Sequence, residues 1–128
     1  MTATRSRQVL IVDDEESMRL LLGRYVESIP GAEITLAGGC EEALRLTRER
    51  RFDLILLDLL MPGIGGIEVL NRVRAGSLNA ATPVIIVSVM ADADTRNVCK
   101  ALRIADYIVK PVEREKLLAS VGAHLAAR

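Results

Sequence analysis

Aromatic side chains are nearly missing: the 128 residues hold no Trp, two Tyr and one Phe. That scarcity argues against a base-stacking platform for single-stranded nucleic acid, which needs exposed rings. It also leaves the core to Leu, Ile, Val and Ala. Charge of either sign is not in surplus, since 17 Lys and Arg balance 17 Asp and Glu; the basic excess of a nucleic-acid-binding domain is absent. Cysteine is scarce. Cys40 and Cys99 show neither the CxxC spacing of a redox or zinc site nor the density of a disulfide scaffold, and read as reduced, buried thiols. No apolar run approaches the roughly 20 residues of a membrane span. The polar start MTATRSRQ leads into a run too short for a signal-peptide core, so the reading is a soluble cytoplasmic protein. No GxGxxG follows the first strand, and the glycines of PGIGG lack the Lys-Ser/Thr of a Walker loop. The single histidine, His124, reads as a packing or surface residue.

What is present is alternation. Val9-Leu10-Ile11-Val12 is a continuous apolar run, as in a strand buried on both faces. Met18, Leu21, Leu22, Tyr25 and Ile29 then recur at helical spacing, and Pro30-Gly31 stops that helix. Residues 32–37 read as a strand and 41–50 as a short helix carrying Ala43, Leu44 and Thr47. Leu54–Leu57 is a third strand. Ile67, Leu70 and Val73 mark a helix after PGIGG. Pro83–Val89 reads as a fourth strand, 93–103 as a weaker helix, and Tyr107–Val109 as a fifth strand. Val112, Leu117, Leu118, Val121 and Leu125 form the stripe of a terminal helix. Five strands alternating with five helices predict one parallel α/β sheet covered on both faces by right-handed crossovers. The length suits one domain, expected to span 1–128 with an ordered core over about 7–126 and no output domain.

In such sheets, sites form outside the carboxyl ends of the strands. Those ends deliver Asp13, Asp14, Glu15 and Glu16 after the first strand, Asp58 after the third, Ser88 at the fourth and Lys110 after the fifth. Asp58, inside DLILLDLLMP, is a lone carboxylate behind four apolar residues. It needs partners, because burying an unpaired charge costs several kcal/mol or more. Asp13, Asp14 and Asp58 brought together repel one another. A hard cation with oxygen ligands relieves that repulsion, and Mg²⁺ suits one or two carboxylates plus phosphate oxygens. Lys110 supplies a point charge for a carboxylate or phosphoryl oxygen, and Ser88 a hydroxyl donor. A carboxylate can also act as a nucleophile and form an aspartyl-phosphate. The plain alternative makes Asp13 and Asp14 helix N-terminal acids, which Glu15 and Glu16 are read to be, with Ser88 a strand-end hydroxyl and Lys110 a solvated charge.

The ordered set VDDEESMRLLL, DLILLDLLMPGIGG, VIIVSV and DYIVKP resembles the receiver domain of two-component response regulators. The resemblance covers about residues 7–126. It implies a flavodoxin-like (βα)5 three-layer sandwich with strand order 2-1-3-4-5. It also implies phosphoryl transfer to Asp58 from a histidine kinase or histidine phosphotransfer protein. Under it, Asp14 ligates Mg²⁺ directly, Asp13 largely through water, and the Leu60 backbone carbonyl joins them, with Mn²⁺ able to stand in. Ser88 and Lys110 contact the phosphoryl group. Ser88 and Tyr107 form the switch pair, and the Lys110-Pro111 bond is often cis. The output is a downstream protein or an output domain elsewhere. Such domains also pair as homodimers through a region corresponding to residues 93–126, and this domain itself would bind neither nucleic acid nor membrane.

Three departures from the family pattern matter. Val89 replaces a small residue after the switch hydroxyl, beside the phosphorylation pocket. Leu60 and Met90 stand two residues beyond Asp58 and Ser88, where receivers with fast hydrolysis are often polar, so slow self-dephosphorylation is expected. Arg103 and Ile104 replace the Gly-Ala that usually closes the fourth helix, which leaves that boundary open. Two other functions are weighed. One is a receiver-fold interaction module that is not phosphorylated. The other, disfavoured, is an aspartyl-phosphate phosphatase of the haloacid-dehalogenase type, which needs an acid where Leu60 stands.

Overall fold

Apolar runs with no polar break form the middle of the sheet. A computed structural model describes residues 6–76 and 78–126. Residues 1–5 of the polar start, Ser77 and residues 127–128 lie outside the described residues. The elements follow in strict alternation: β1 (Arg7–Val12), α1 (Glu16–Glu27), β2 (Ala32–Ala37), α2 (Cys40–Glu49), β3 (Leu54–Leu57), α3 (Gly66–Ala75), β4 (Val84–Ser88), α4 (Ala93–Ala101), β5 (Asp106–Val109) and α5 (Arg114–Ala126). The strands pair in parallel in the order β2-β1-β3-β4-β5. No helix among the described residues is long and apolar enough to cross a membrane.

Each central strand sends alternate side chains to opposite faces. Leu10, Val12, Ile55, Leu57, Val84 and Ile86 pack against Ala43 and Leu44 of α2, Val69, Leu70 and Val73 of α3, and Cys99 of α4. Val9, Ile11, Leu54, Leu56, Ile85 and Val87 pack on the other face against Leu22 and Val26 of α1 and Leu117, Val121 and Leu125 of α5. The result is the expected three-layer sandwich. Each fully buried aliphatic side chain contributes about 1.5–3 kcal/mol relative to exposure, so two such layers rigidly hold the strand ends between them. Cys40 and Cys99 are both buried and free, as read from the sequence.

Most differences from the sequence reading are at element ends. β1 begins at Arg7 rather than Val9, β4 is trimmed to Val84–Ser88, and α5 begins at Arg114, with Val112 packing on the core just ahead of it. The fourth helix stops at Ala101, two residues short of the expected 103. Its stop is Arg103, which takes the left-handed conformation (φ +60°) usually left to glycine. The half-buried Arg74 holds that turn. Its guanidinium donates to the carbonyls of Leu102 (2.8 Å) and Arg103 (3.1 Å), and to that of Thr82 (2.8 Å). A helix end without its glycine is thus satisfied from α3. At the same end of the sheet, the buried Asn79 side chain accepts from Phe52 N–H and donates to the carbonyls of Thr47 and Arg50.

Candidate functional site

The strand order reverses direction at β1, between β2 and β3, and open α/β sheets place their sites at such a point. Two acids stand there, at the ends of adjacent strands. Asp13 follows β1 and its N–H donates to the Ala37 carbonyl (3.2 Å); Asp58 follows β3 and its N–H donates to the Val12 carbonyl (3.0 Å). Lys110 follows β5, with its N–H bonded to the Ser88 carbonyl (2.9 Å). The Lys110-Pro111 peptide bond is cis. A shallow cleft at this rim is lined by Asp13, Asp14, Glu15, Asp58, Leu60, Val89 and Lys110.

The turn after β3 brings the backbone unusually close to Asp58. Gly63 and Gly65 both take positive φ (95° and 84°), and Gly66 then starts α3 with its N–H on the Leu59 carbonyl. A Cβ on Gly66 would stand 2.3 Å from the Asp58 carbonyl oxygen and 2.6 Å from the Leu59 Cα. Only glycine fits there. The glycines read from the sequence as a turn therefore also seat the Asp58 backbone.

The electrostatics follow from burial. Asp13 is fully buried and Asp58 is 4% exposed, whereas Asp14 is exposed. Lys110 Nζ lies 2.8 Å from Asp13 Oδ2 and 3.5 Å from Asp58 Oδ2. Burial pushes the Asp58 carboxyl above the usual carboxylate range; the Lys110 charge opposes this and the Asp13 charge adds to it. Burial would lower the Lys110 ammonium, but its bond to Asp13 and the charges of Asp58 and Asp13 outweigh that and hold it above its ordinary value. One carboxylate oxygen from each of Asp13, Asp14 and Asp58 can be chosen so that all lie within 4.8 Å of one another. Opposite oxygens around a Mg²⁺ stand roughly 4.2 Å apart. The spread of the three carboxylate oxygens is close to that spacing, so an all-oxygen, partly aqueous site for a hard cation fits these residues.

Ser88 is fully buried at the end of β4 and is not among the residues lining the cleft. Its Oγ accepts from Met90 N–H (3.3 Å), while Tyr107 Oη donates to the Met90 carbonyl (2.7 Å). The two members of the expected switch pair thus meet through one residue, Met90. Arg96 covers the Tyr107 ring, its Cζ 4.5 Å from the centroid. Leu60 and Val89 stand 52% and 58% exposed on the cleft wall. Two apolar side chains so open to water, flanking a charged floor, make a collar rather than a core contact.

Sequence reasoning missed Arg19. Its Nη1 donates to the Asp13 carbonyl (2.7 Å). An arginine six residues past an acid pair is a faint signal, because on sequence alone it reads as a solvated helix charge. Glu15, read only as a helix N-terminal acid, also lines the cleft.

A family model described as "Response regulator receiver domain" matches residues 9–122. The transcriptional regulatory protein ResD of Bacillus subtilis is 38% identical over 125 residues, covering 98% of this chain and 50% of that protein. The DNA-binding response regulator MtrA of Mycobacterium tuberculosis is 37% identical over 124 residues, covering 95% of this chain and 52% of that protein. The chain spans about half the length of the curated relatives it matches. Among solved structures, a CheY-like response regulator receiver domain protein from Methanospirillum hungatei superposes with a TM-score of 0.88 at 25% identity, covering 95% of each chain. The chemotaxis protein CheY4 of Vibrio cholerae superposes with a TM-score of 0.85 at 30% identity, covering 92% of this chain and 98% of that one.

Proposed function

Because the chain belongs to the response regulator receiver domain family, we propose that it is a phosphorylation-driven switch in which Asp58 accepts the phosphoryl group. The observation that carries this reading is the buried Asp58 carboxylate, open at the cleft floor to Lys110 and flanked by Asp13 and Asp14. A protein histidine phosphate, on a kinase or phosphotransfer protein, suits it as donor. An Asp58 carboxylate oxygen attacks the phosphorus. The O–P bond forms as the N–P bond breaks, and the electron pair returns to the imidazole nitrogen, which takes up a proton. Transfer of this kind depends on positioning and charge neutralisation more than on covalent work by the protein.

Asp14, exposed and rotatable, suits direct ligation of a divalent cation. Asp13 has both carboxylate oxygens engaged, Oδ1 by Glu15 N–H (2.9 Å) and Oδ2 by Lys110, which suits contact through water. The Leu60 carbonyl, two residues past Asp58, is the candidate third ligand. A bound Mg²⁺, or Mn²⁺ in its place, would neutralise the charge that builds on the phosphoryl oxygens. Lys110 is poised to move from Asp13 toward a new phosphoryl oxygen. Ser88 would leave Met90 N–H for the same group, and that exchange would reach Tyr107 through its bond to the Met90 carbonyl. Phosphorylation would then bias α4 and β5 toward a partner or an output domain. The polar groups needed to orient an attacking water are missing at Leu60 and Met90, which supports a long-lived phosphoryl group.

The test is intact-mass spectrometry of the wild type and Asp58→Ala after incubation with Mg²⁺ and a small phosphodonor, then with a phosphorylated histidine phosphotransfer protein. A phosphoryl adduct that needs both Asp58 and the cation supports the reading. No adduct from either donor, also none in Val89→Ala, favours an interaction module that works without phosphate.

A further inference from the structure

All four polar groups of Asp13 are engaged. Its N–H donates to the Ala37 carbonyl, Oδ1 accepts from Glu15 N–H, Oδ2 accepts from Lys110, and its carbonyl accepts from Arg19 at 2.7 Å. Asp14 differs. Its carboxylate is exposed and makes no hydrogen bond among the described residues. The backbone before it, the peptide that begins with the Asp13 carbonyl, therefore sets only where its Cα–Cβ bond sits, and with it the positions that the carboxylate can reach by rotation.

Arg19 is built to hold that carbonyl. A helical side chain leans back toward the helix N-terminus, and Arg19, in the first turns of α1, leans over the acid turn. Its guanidinium is packed from the other side by the β2–α2 turn. A Cβ on Gly38 would lie 3.1 Å from Arg19 Nη1 and 3.4 Å from Cζ. Gly38 has no positive φ that demands glycine. A methyl group there would instead crowd the guanidinium, which would have to give by a few tenths of an ångström. The Gly38 N–H is in turn tied to Glu42 Oε1 (2.8 Å), which fixes that wall against α2.

We infer that Arg19 is a positioning residue for the acid pair: wedged between the Asp13 carbonyl and Gly38, it fixes the Asp13–Asp14 peptide and so holds the Asp14 side chain where its carboxylate can reach the cation site. This rests on reading the acid cleft as a divalent-cation site. The arginine does not touch the cation or the phosphoryl group. It acts as the hydrogen-bonded supports of metal ligands do, whose loss typically weakens binding about 10- to 100-fold.

The experiment is Mg²⁺ titration by isothermal calorimetry of the wild type, Arg19→Met, Arg19→Lys, Gly38→Ala and the Arg19→Met/Gly38→Ala double variant. Thermal unfolding in EDTA accompanies each. Arg19→Met should weaken Mg²⁺ binding by about tenfold. Arg19→Lys, which keeps a charged donor, should recover most of the loss. Gly38→Ala makes the guanidinium give by a few tenths of an ångström and should weaken binding by less than Arg19→Met does, with no further loss on the Arg19→Met background, since both act through one contact. Unchanged Mg²⁺ affinity in Gly38→Ala, or losses that simply add in the double variant, overturns the assignment even if Arg19→Met fails to fold. Lysine doing no better than methionine overturns it too. A wild type that binds no Mg²⁺ at all overturns the proposed function, and this assignment with it. A wild type that binds while every variant binds equally overturns this assignment alone.

Discussion

Lys110 is bonded to Asp13 at 2.8 Å and stands back from Asp58 at 3.5 Å. The ammonium thus neutralises the fully buried acid and leaves the phospho-acceptor candidate the less satisfied of the two. Lys110→Met would strand the Asp13 carboxylate without its cation. Removing one member of a buried pair costs roughly 3 kcal/mol or more, so urea unfolding at pH 7.5 in EDTA should show a loss of that order. The Lys110 value is raised on folding. Its stabilisation is therefore complete below the unfolded value of about 10.5 and fades as pH climbs through the higher folded value. Wild-type stability should fall more steeply across that alkaline window than that of Lys110→Met, in which only the raised Tyr107 and Cys99 still contribute; parallel curves would contradict the pairing.

Asp58 carries the opposite sign of cost. Its carboxyl titrates above the usual range because it is buried and next to Asp13. The folded state thus holds a proton more tightly than the unfolded chain does. Ionisation costs stability as pH rises through the folded value, and none of that cost is felt below the unfolded one. Asp58→Asn should raise the metal-free Tm at pH 7.5 by a few degrees, about the shift produced by ~1 kcal/mol. The gain should vanish near pH 3, and should shrink when Mg²⁺ is added to both proteins. A lower Tm for the variant at neutral pH would mean that Lys110 outweighs burial.

Gly66 sits against the backbone of the residue it supports. An added Cβ would meet the Asp58 carbonyl oxygen at 2.3 Å, and neither backbone can yield cheaply. Gly66→Ala should cost about 1–3 kcal/mol from overpacking and shift the amide resonances of residues 58–60 more than those of α5. Gly39→Ala, with nothing within 4 Å of its added carbon, is the control and should leave both unchanged.

Under the proposed function, Leu60, half exposed on the cleft wall, should influence how long a phosphoryl group on Asp58 persists. Replacing it with Asn places a polar group where an attacking water would pass. Decay of the adduct, followed by intact mass, should quicken on the order of tenfold, short of the full effect of a positioned general base. The wild-type adduct should last well beyond seconds. Decay within seconds in the unsubstituted protein would discard the argument from Leu60 and Met90.

The elements were legible because their signals are local. Leu54–Leu57 is apolar without a break since β3 is covered on both faces, and α2 starts within one residue of its expected position. The rim residues Asp13, Asp14, Asp58 and Lys110 were legible for a related reason: each stands within two residues of a strand's end, and parallel strands deliver their ends to one edge. The fourth helix was misjudged by two residues because its stop is Arg103 in a left-handed turn. No local rule assigns that conformation to arginine; the bonds from Arg74, 29 positions away, support it.

The sequence by itself determined the alternation of strand and helix, the two-sided burial of the sheet and the choice of acids at its edge, because hydrophobic period and residue type act over a few neighbours. Tertiary structure decided which acid is paired and which is free. Lys110 reaches Asp13 across 97 residues, Gly66 makes room for the Asp58 backbone, and Gly38 makes room for Arg19. Distance, burial and the direction of a single hydrogen bond depend on how distant segments pack, and no window of the chain contains both partners.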